Sequence, residues 1–215
     1  LPFSDPNVLA VFAEYDQRHR AERERMAALP PGTMGAIRDE FLLPVGAKVG
    51  DFLRSLAIAR EPERILELGT SYGYSTLFLA DAARECGAKL VTVDVDPAKQ
   101  DYARAMLERA GLAKHVEFRC GEALEIVAAD EGEWGLVLLD IWKNLYLPCF
   151  EAVYPKLAEE GIIVSDNMIY PESARDAVRA YRHAVEARPD LQTMLLPLGS
   201  GIEMSIKWSA GNAKL

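Results

Sequence analysis

Cysteine is scarce. Cys86, Cys120 and Cys149 are an odd number in 215 residues and show no CxxC spacing, so neither a disulfide framework nor a zinc site is indicated. Buried thiols and a cytoplasmic setting are the expectation. No apolar stretch approaches the ~20 residues of a membrane span. The opening Leu1-Pro2-Phe3-Ser4-Asp5 lacks a basic region followed by an apolar one, so neither a membrane nor export is expected. Positive charge is also in deficit, with 24 Lys and Arg against 33 Asp and Glu and a net charge of −9, which disfavours wrapping a long nucleic acid. Arg18-His19-Arg20 and Arg23-Glu24-Arg25 mix both signs and read as a solvated helix face. GxGxxG, GxSxG, HExxH and internal repeats are all missing.

What is present is a pattern of acids. Four short apolar runs each end on one: Ile65-Leu66-Glu67-Leu68-Gly69, Leu90-Val91-Thr92-Val93-Asp94, Leu136-Val137-Leu138-Leu139-Asp140 and Ile162-Ile163-Val164-Ser165-Asp166-Asn167. Runs this rich in Val, Ile and Leu, separated by helix-length segments, read as parallel strands buried on both faces. Ligands of such sheets sit beyond the carboxyl ends of the strands, so the four acids mark a site.

The chain reads as one α/β domain over residues 1–215, with residues 1–40 as an N-terminal helical extension. Helices are predicted over 7–28 and 46–59, followed by strand and helix in alternation: a strand from Arg64 or Ile65, helix 74–86, strand 89–95, helix 97–110, strand 116–119, helix 122–129, strand 134–139, helix 144–158, strand 161–165 and helix 172–187. Repeated βα units specify a doubly wound, mostly parallel sheet. Leu191–Leu196 and Ile202–Trp208 flank Pro197-Leu198-Gly199-Ser200-Gly201, so the chain is expected to finish on an antiparallel strand pair.

Gly69-Thr70-Ser71-Tyr72-Gly73 follows the first strand and opens a helix, where glycines let the backbone approach a ligand. Glu67 precedes this loop and would face a ligand with negative charge, which suits an amine or a sulfonium better than a pyrophosphate. Ser75 is placed to bond a ligand carboxylate. Asp94 ends the second strand where an acid can accept two ribose hydroxyls, and Gly121-Glu122-Ala123 follows the third within reach of an adenine. Together these favour an adenosyl ligand. Asp96-Pro97 reads as a helix cap.

Asp140 and Asp166-Asn167 end strands expected to be neighbours, and two carboxylates with an amide carbonyl are hard ligands for Mg²⁺, Mn²⁺ or Ca²⁺. Such an ion could bind two vicinal oxygens of a substrate. Lys143, three residues past Asp140, could take the hydroxyl proton as general base. His19, His115 and His183 fall in helices or at their edges, away from the strand ends.

These residues resemble the cation-dependent O-methyltransferases, the family of catechol and caffeoyl-CoA O-methyltransferases and their small bacterial relatives. The likeness runs from about Val45 to Trp208 through LELGTSYGYST (66–76), VTVDVDP (91–97), GEALE (121–125), LLDIWKNLY (138–146), IIVSDNMIY (162–170) and LLPLGSGIEMSIKW (195–208). It implies a seven-stranded, Rossmann-like class I methyltransferase sheet, S-adenosylmethionine, a divalent cation and often a homodimer. By motif position Asp140, Asp166 and Asn167 resemble the metal ligands and Lys143, beside Asp140, the catalytic base. Glu67, Gly69, Ser71, Gly73, Ser75, Asp94, Gly121, Ala123 and Asp140 resemble cofactor contacts, and Val45-Gly46 the segment at the methionine end. Trp142 and Ser200-Gly201 depart from patterns common in bacterial relatives, and Trp142 is expected to shape a different acceptor pocket. The leading expectation is methyl transfer to a small catechol-like or phenolic hydroxyl. A hydroxyuridine in tRNA is an alternative acceptor. A nicotinamide-dependent oxidoreductase and a non-catalytic binding module are alternatives of other classes.

Overall fold

Alternation of facing side chains explains the layers. The computed structural model describes residues 3–30 and 32–208. Seven strands, β1 (Arg64–Leu68), β2 (Lys89–Asp94), β3 (Val116–Cys120), β4 (Trp134–Leu139), β5 (Leu157–Ser165), β6 (Leu191–Leu196) and β7 (Ile202–Lys207), form one sheet in the order β3-β2-β1-β4-β5-β7-β6. Strands β1 to β5 pair in parallel, and β7 runs antiparallel to both β5 and β6. Leu136 and Leu138 of β4 face one core while Val137 and Leu139 face the other, the two-residue period of a strand covered on both sides.

Among the described residues the α-helices are α1 (Pro6–Ala27), α2 (Met34–Ile37), α3 (Ala47–Arg60), α4 (Tyr74–Cys86), α5 (Pro97–Arg109), α6 (Ala123–Ala129), α7 (Tyr146–Val153) and α8 (Arg175–Glu186), and all but the short α2 cover the sheet. One core joins α1, α3, α4 and α5 to the sheet through residues such as Val11, Leu53, Phe78 and Leu107. The opposite core gathers Val127, Phe150, Val153 and Tyr181 of α6, α7 and α8. Asp96 caps α5 as its sequence predicts, accepting the N–H groups of Ala98 (2.9 Å) and Lys99 (3.3 Å). Among the described residues no helix is long and apolar enough to cross a membrane.

Three expectations are corrected. The helix predicted over 144–158 is shorter: a 3-10 turn over Lys143–Leu145 precedes α7, and another over Tyr154–Lys156, around Pro155, follows it. Strand β5 begins at Leu157, four residues early, with Glu160 at φ 57°. Arg60 holds the carbonyls of Glu159 and Glu160 at 2.8 and 2.9 Å, so a side chain a hundred residues away supports that irregular start. Between α1 and α3 the chain forms α2 and a 3-10 turn over Arg38–Glu40, for which the sequence reading assigned no element of their own. As for the thiols, Cys149 alone is fully buried; Cys86 is half-buried and Cys120, at the end of edge strand β3, is exposed.

Candidate active site

Strand register sets the site. Leu68 pairs with Leu139 and Leu139 with Ser165, so Gly69, Asp140 and Asp166 leave three adjacent strands in step. Asp140 N donates to Leu68 O (3.0 Å) and Asp166 N to Leu139 O (3.1 Å), carrying the ladder one residue past each strand. At Gly69 (φ 107°) a Cβ would lie 2.0 Å from the Asp140 carbonyl oxygen, so no side chain fits between the two exits.

On the β1–β2 side every carboxylate is engaged. Glu67 has no exposed surface; its Oε1 accepts Ser75 Oγ and its Oε2 accepts Thr76 and Thr92 hydroxyls, all at 2.6 Å. Burial raises the Glu67 carboxyl to about 7 despite these three bonds. Ser75 therefore points at Glu67 beneath the loop. Asp94 accepts the N–H of Ser71 (2.7 Å) on one oxygen and that of Asp96 (3.0 Å) on the other, which folds the glycine loop against the end of β2. Gly121 N donates to Asp94 O (2.9 Å), bringing the Gly121-Glu122-Ala123 exit beside it, with Ala123 opening α6. Gly73, at φ 87°, starts α4. Val45 and Gly46 stand at the start of α3, which packs on α4, and Gly199 of the β6–β7 turn lies against Val49 and the Val45 carbonyl.

On the β4–β5 side the carboxylates are poorly satisfied. Asp166 is 2% exposed and its Oδ1 has no partner. Burial, with Asp140 nearby, raises it to about 7. Asp140 is raised by burial as well, and Lys143 opposes that shift from 3.7 Å. Lys143 is mostly covered, donates to Tyr146 Oη and to Ile141 O (3.2 Å), and is lowered by burial although both aspartates favour its charge. Tyr146 Oη donates in turn to Asp166 O (3.1 Å), so one phenol joins the amine to the second strand exit. Asn167 follows with φ 58°. Among the described residues no three of His, Cys, Asp and Glu cluster as a metal site; the third ligand expected from the sequence, Asn167, is an amide.

The β6–β7 turn holds this loop. Met168 N donates to Gly201 O (2.9 Å) and Ile169 N to Ser200 O (2.9 Å), and a Cβ on Gly201 would lie 2.7 Å from Ile169 N.

Several contributors escaped the sequence reading. Thr92, a polar residue inside an apolar strand and two before Asp94, was a visible signal. Tyr146 lies one helical turn past Lys143. Tyr15 of α1, whose hydroxyl donates to Tyr72 O at 2.6 Å, carried no local signal, because 57 residues separate the partners.

A model of the O-methyltransferase family matches residues 21–208. The chain belongs to the O-methyltransferase family. A catechol O-methyltransferase of Niastella koreensis is 35% identical over 132 residues, 59% of each protein, so the chain spans under two thirds of that relative's length. Caffeoyl-CoA O-methyltransferase 1 of Arabidopsis thaliana is 29% identical over 182 residues, 75% of this chain and 70% of the relative. The crystal structure of an O-methyltransferase from Bacillus cereus in complex with SAH superposes at a TM-score of 0.73, with 25% identity, covering 92% of this chain and 90% of that one. The seven-stranded sheet with its antiparallel β7 is thus the class I methyltransferase sheet. In this member of the O-methyltransferase family Glu67 and Asp94 are bonded within the protein, Asp140 faces Lys143, and Asp166 keeps one oxygen without a partner among the described residues.

Proposed function

We propose that this chain transfers a methyl group from S-adenosylmethionine to a hydroxyl of a small catechol-like or phenolic acceptor, with a divalent cation, Mg²⁺ first, at Asp140, Asp166 and Asn167. The observation that carries the reading is the partnerless Oδ1 of buried Asp166 next to a second desolvated carboxylate. Two such oxygens and an amide carbonyl are hard donors, and they fit a hard dication. The glycine loop at the start of α4, with Asp94 at the neighbouring exit, fits the adenosyl cofactor, since each Asp94 oxygen retains acceptor capacity after its one backbone bond. When bound, the cofactor supplies an electrophilic sulfonium methyl and the cation a fixed point for vicinal oxygens.

The chain's own groups do the rest. Lys143, lowered by burial, accepts the acceptor's hydroxyl proton at Nζ as the general base. Tyr146 holds that amine in position through its hydroxyl, itself tied to Asp166 O. Asp140, shared between the amine and the open donor set, couples the two. The loop from Gly69 to Gly73, with Ser71 bonded to Asp94, orients the donor, so that near-attack placement supplies most of the rate. Homodimeric assembly and cytoplasmic residence accompany this reading.

The test is methyl transfer to catechol-type acceptors with and without EDTA, together with melting in Mg²⁺ alone. Transfer stops on chelation and returns with Mg²⁺. At 100 times its Kd the cation adds about 2.7 kcal/mol of stability, hence a rise of about 5–10 °C in Tm, which Asp166→Ala abolishes. Transfer indifferent to EDTA, or label appearing in bulk tRNA and not in catechols, overturns the reading.

A further inference from the structure

Near Asp140 and Lys143 lies a guanidinium that, among the described residues, has no hydrogen-bonded or ion-paired partner. Arg38 opens the 3-10 turn over Arg38–Glu40 and its Cζ lies 5.7 Å from the centroid of the Trp142 ring, between Asp140 and Lys143 in sequence. Its positive charge reaches both Asp140 and Lys143. The residues around it are fixed. Asp39 takes Lys99 at 3.3 Å and its carbonyl takes the Tyr72 hydroxyl; Glu40 takes Arg25 at 3.0 Å; Phe41 and Leu42 are buried, and Leu42 N donates to Glu22 at 2.7 Å. The two acids that follow Arg38 in sequence are therefore paired elsewhere, which leaves Asp140 as the carboxylate that feels its charge. Among the described residues the Arg38 side chain makes no hydrogen bond or ion pair, and it is half-buried on a pinned segment. Trp142 beside it is 50% exposed, a large aromatic surface left open next to Asp140 and Lys143.

A half-buried guanidinium that no carboxylate bonds directly, on a tethered segment beside a half-exposed indole, is the pattern of a carboxylate receptor. We infer that Arg38 with Trp142 selects acceptors in which the dihydroxylated ring carries a carboxylate group, the ring lying along Trp142 and the carboxylate meeting the guanidinium. This deepens the methyl-transfer reading and rests on it. Arg38 is a specificity residue and takes no part in moving the proton or the methyl.

A matched acceptor pair tests it: 3,4-dihydroxybenzoate against 3,4-dihydroxybenzamide, nearly the same in shape and different in charge. The kcat/KM ratio, carboxylate over amide, is expected to be about tenfold or more, as for one charge-assisted hydrogen bond in a partly desolvated site. Arg38→Gln brings the ratio close to one, Arg38→Lys keeps most of it, and Arg38→Glu reverses it. The preference of the unmodified protein also falls as salt rises. Equal turnover of both acceptors, or a preference that Arg38→Gln leaves intact at an unchanged melting temperature, overturns the inference while the methyl-transfer reading stands. Turnover of neither acceptor overturns both.

Discussion

The two halves of the strand-end edge treat their carboxylates in opposite ways. Towards the ends of β1 and β2, Glu67 accepts three hydroxyls and Asp94 two backbone N–H groups, so the protein itself gives every one of these carboxylate oxygens a donor. Beyond β4 and β5, Asp140 has only Lys143 at 3.7 Å and Asp166 keeps a buried oxygen without any donor. A buried polar atom left unpaired costs about 1–3 kcal/mol, and that cost is concentrated on one side. The half proposed to hold the methyl donor is organised in advance, whereas the half proposed to meet the acceptor is built around charge it does not itself neutralise.

The largest way to break this contrast is to remove the amine that partly offsets the open side. Lys143→Ala is expected to lower kcat by about 10²–10⁴-fold and to leave cofactor binding, measured by calorimetry, within a few-fold. A loss of cofactor affinity as large as the loss of kcat would show that the halves are not separate.

Next comes the pH dependence of the satisfied half. Folded Glu67 holds its proton up to about 7, while an unfolded glutamate releases it near 4.5. The folded state thus binds more protons between those values. Stability associated with Glu67 is full below about 4.5 and falls as pH rises towards about 7, by no more than about 3 kcal/mol in all. Glu67→Gln removes this slope. Urea melts of the unliganded protein at pH 5 and pH 8 read it, and a wild-type slope shared unchanged by the variant would show that the three hydroxyls already cancel the burial.

The smallest effect sharpens the comparison. Tyr15→Phe deletes one hydrogen bond to the glycine loop proposed to hold the cofactor, about 1 kcal/mol. KM for the methyl donor is expected to rise about fivefold, with kcat nearly constant and the acceptor KM unmoved. A change confined to the acceptor KM would place α1 on the other half.

How far these contrasts could be read beforehand depends on the range of the interactions. The strands were legible because their apolar runs are continuous and end on acids, and β4 ends at Leu139 where the sequence places it. The pairing of Asp140 with Asp166 followed from that order. What the sequence did not display was which acids the protein would satisfy for itself. Ser75, aimed in the sequence reading at a ligand, bonds Glu67, because a fully buried carboxylate has greater need of a hydroxyl than the solvent-facing mouth does. The early start of β5 depends on Arg60, and the segment carrying Arg38 is pinned by Glu22, Arg25, Tyr72 and Lys99. These partners lie far apart along the chain, so no local pattern announces them. Pro155, by contrast, was a visible stop signal for the helix read through to 158.

The splint formed by Ser200 and Gly201 against Met168 and Ile169 has an evolutionary corollary. Because the hairpin tip grips the backbone just after Asn167, lengthening or shortening that tip would swing Met168 and Ile169 while Asp140 and Asp166, the residues proposed to take part in the chemistry, stay anchored at the ends of β4 and β5. Substrate range in such a scaffold can drift through a remote hairpin, with selection on the reactive centre left undisturbed.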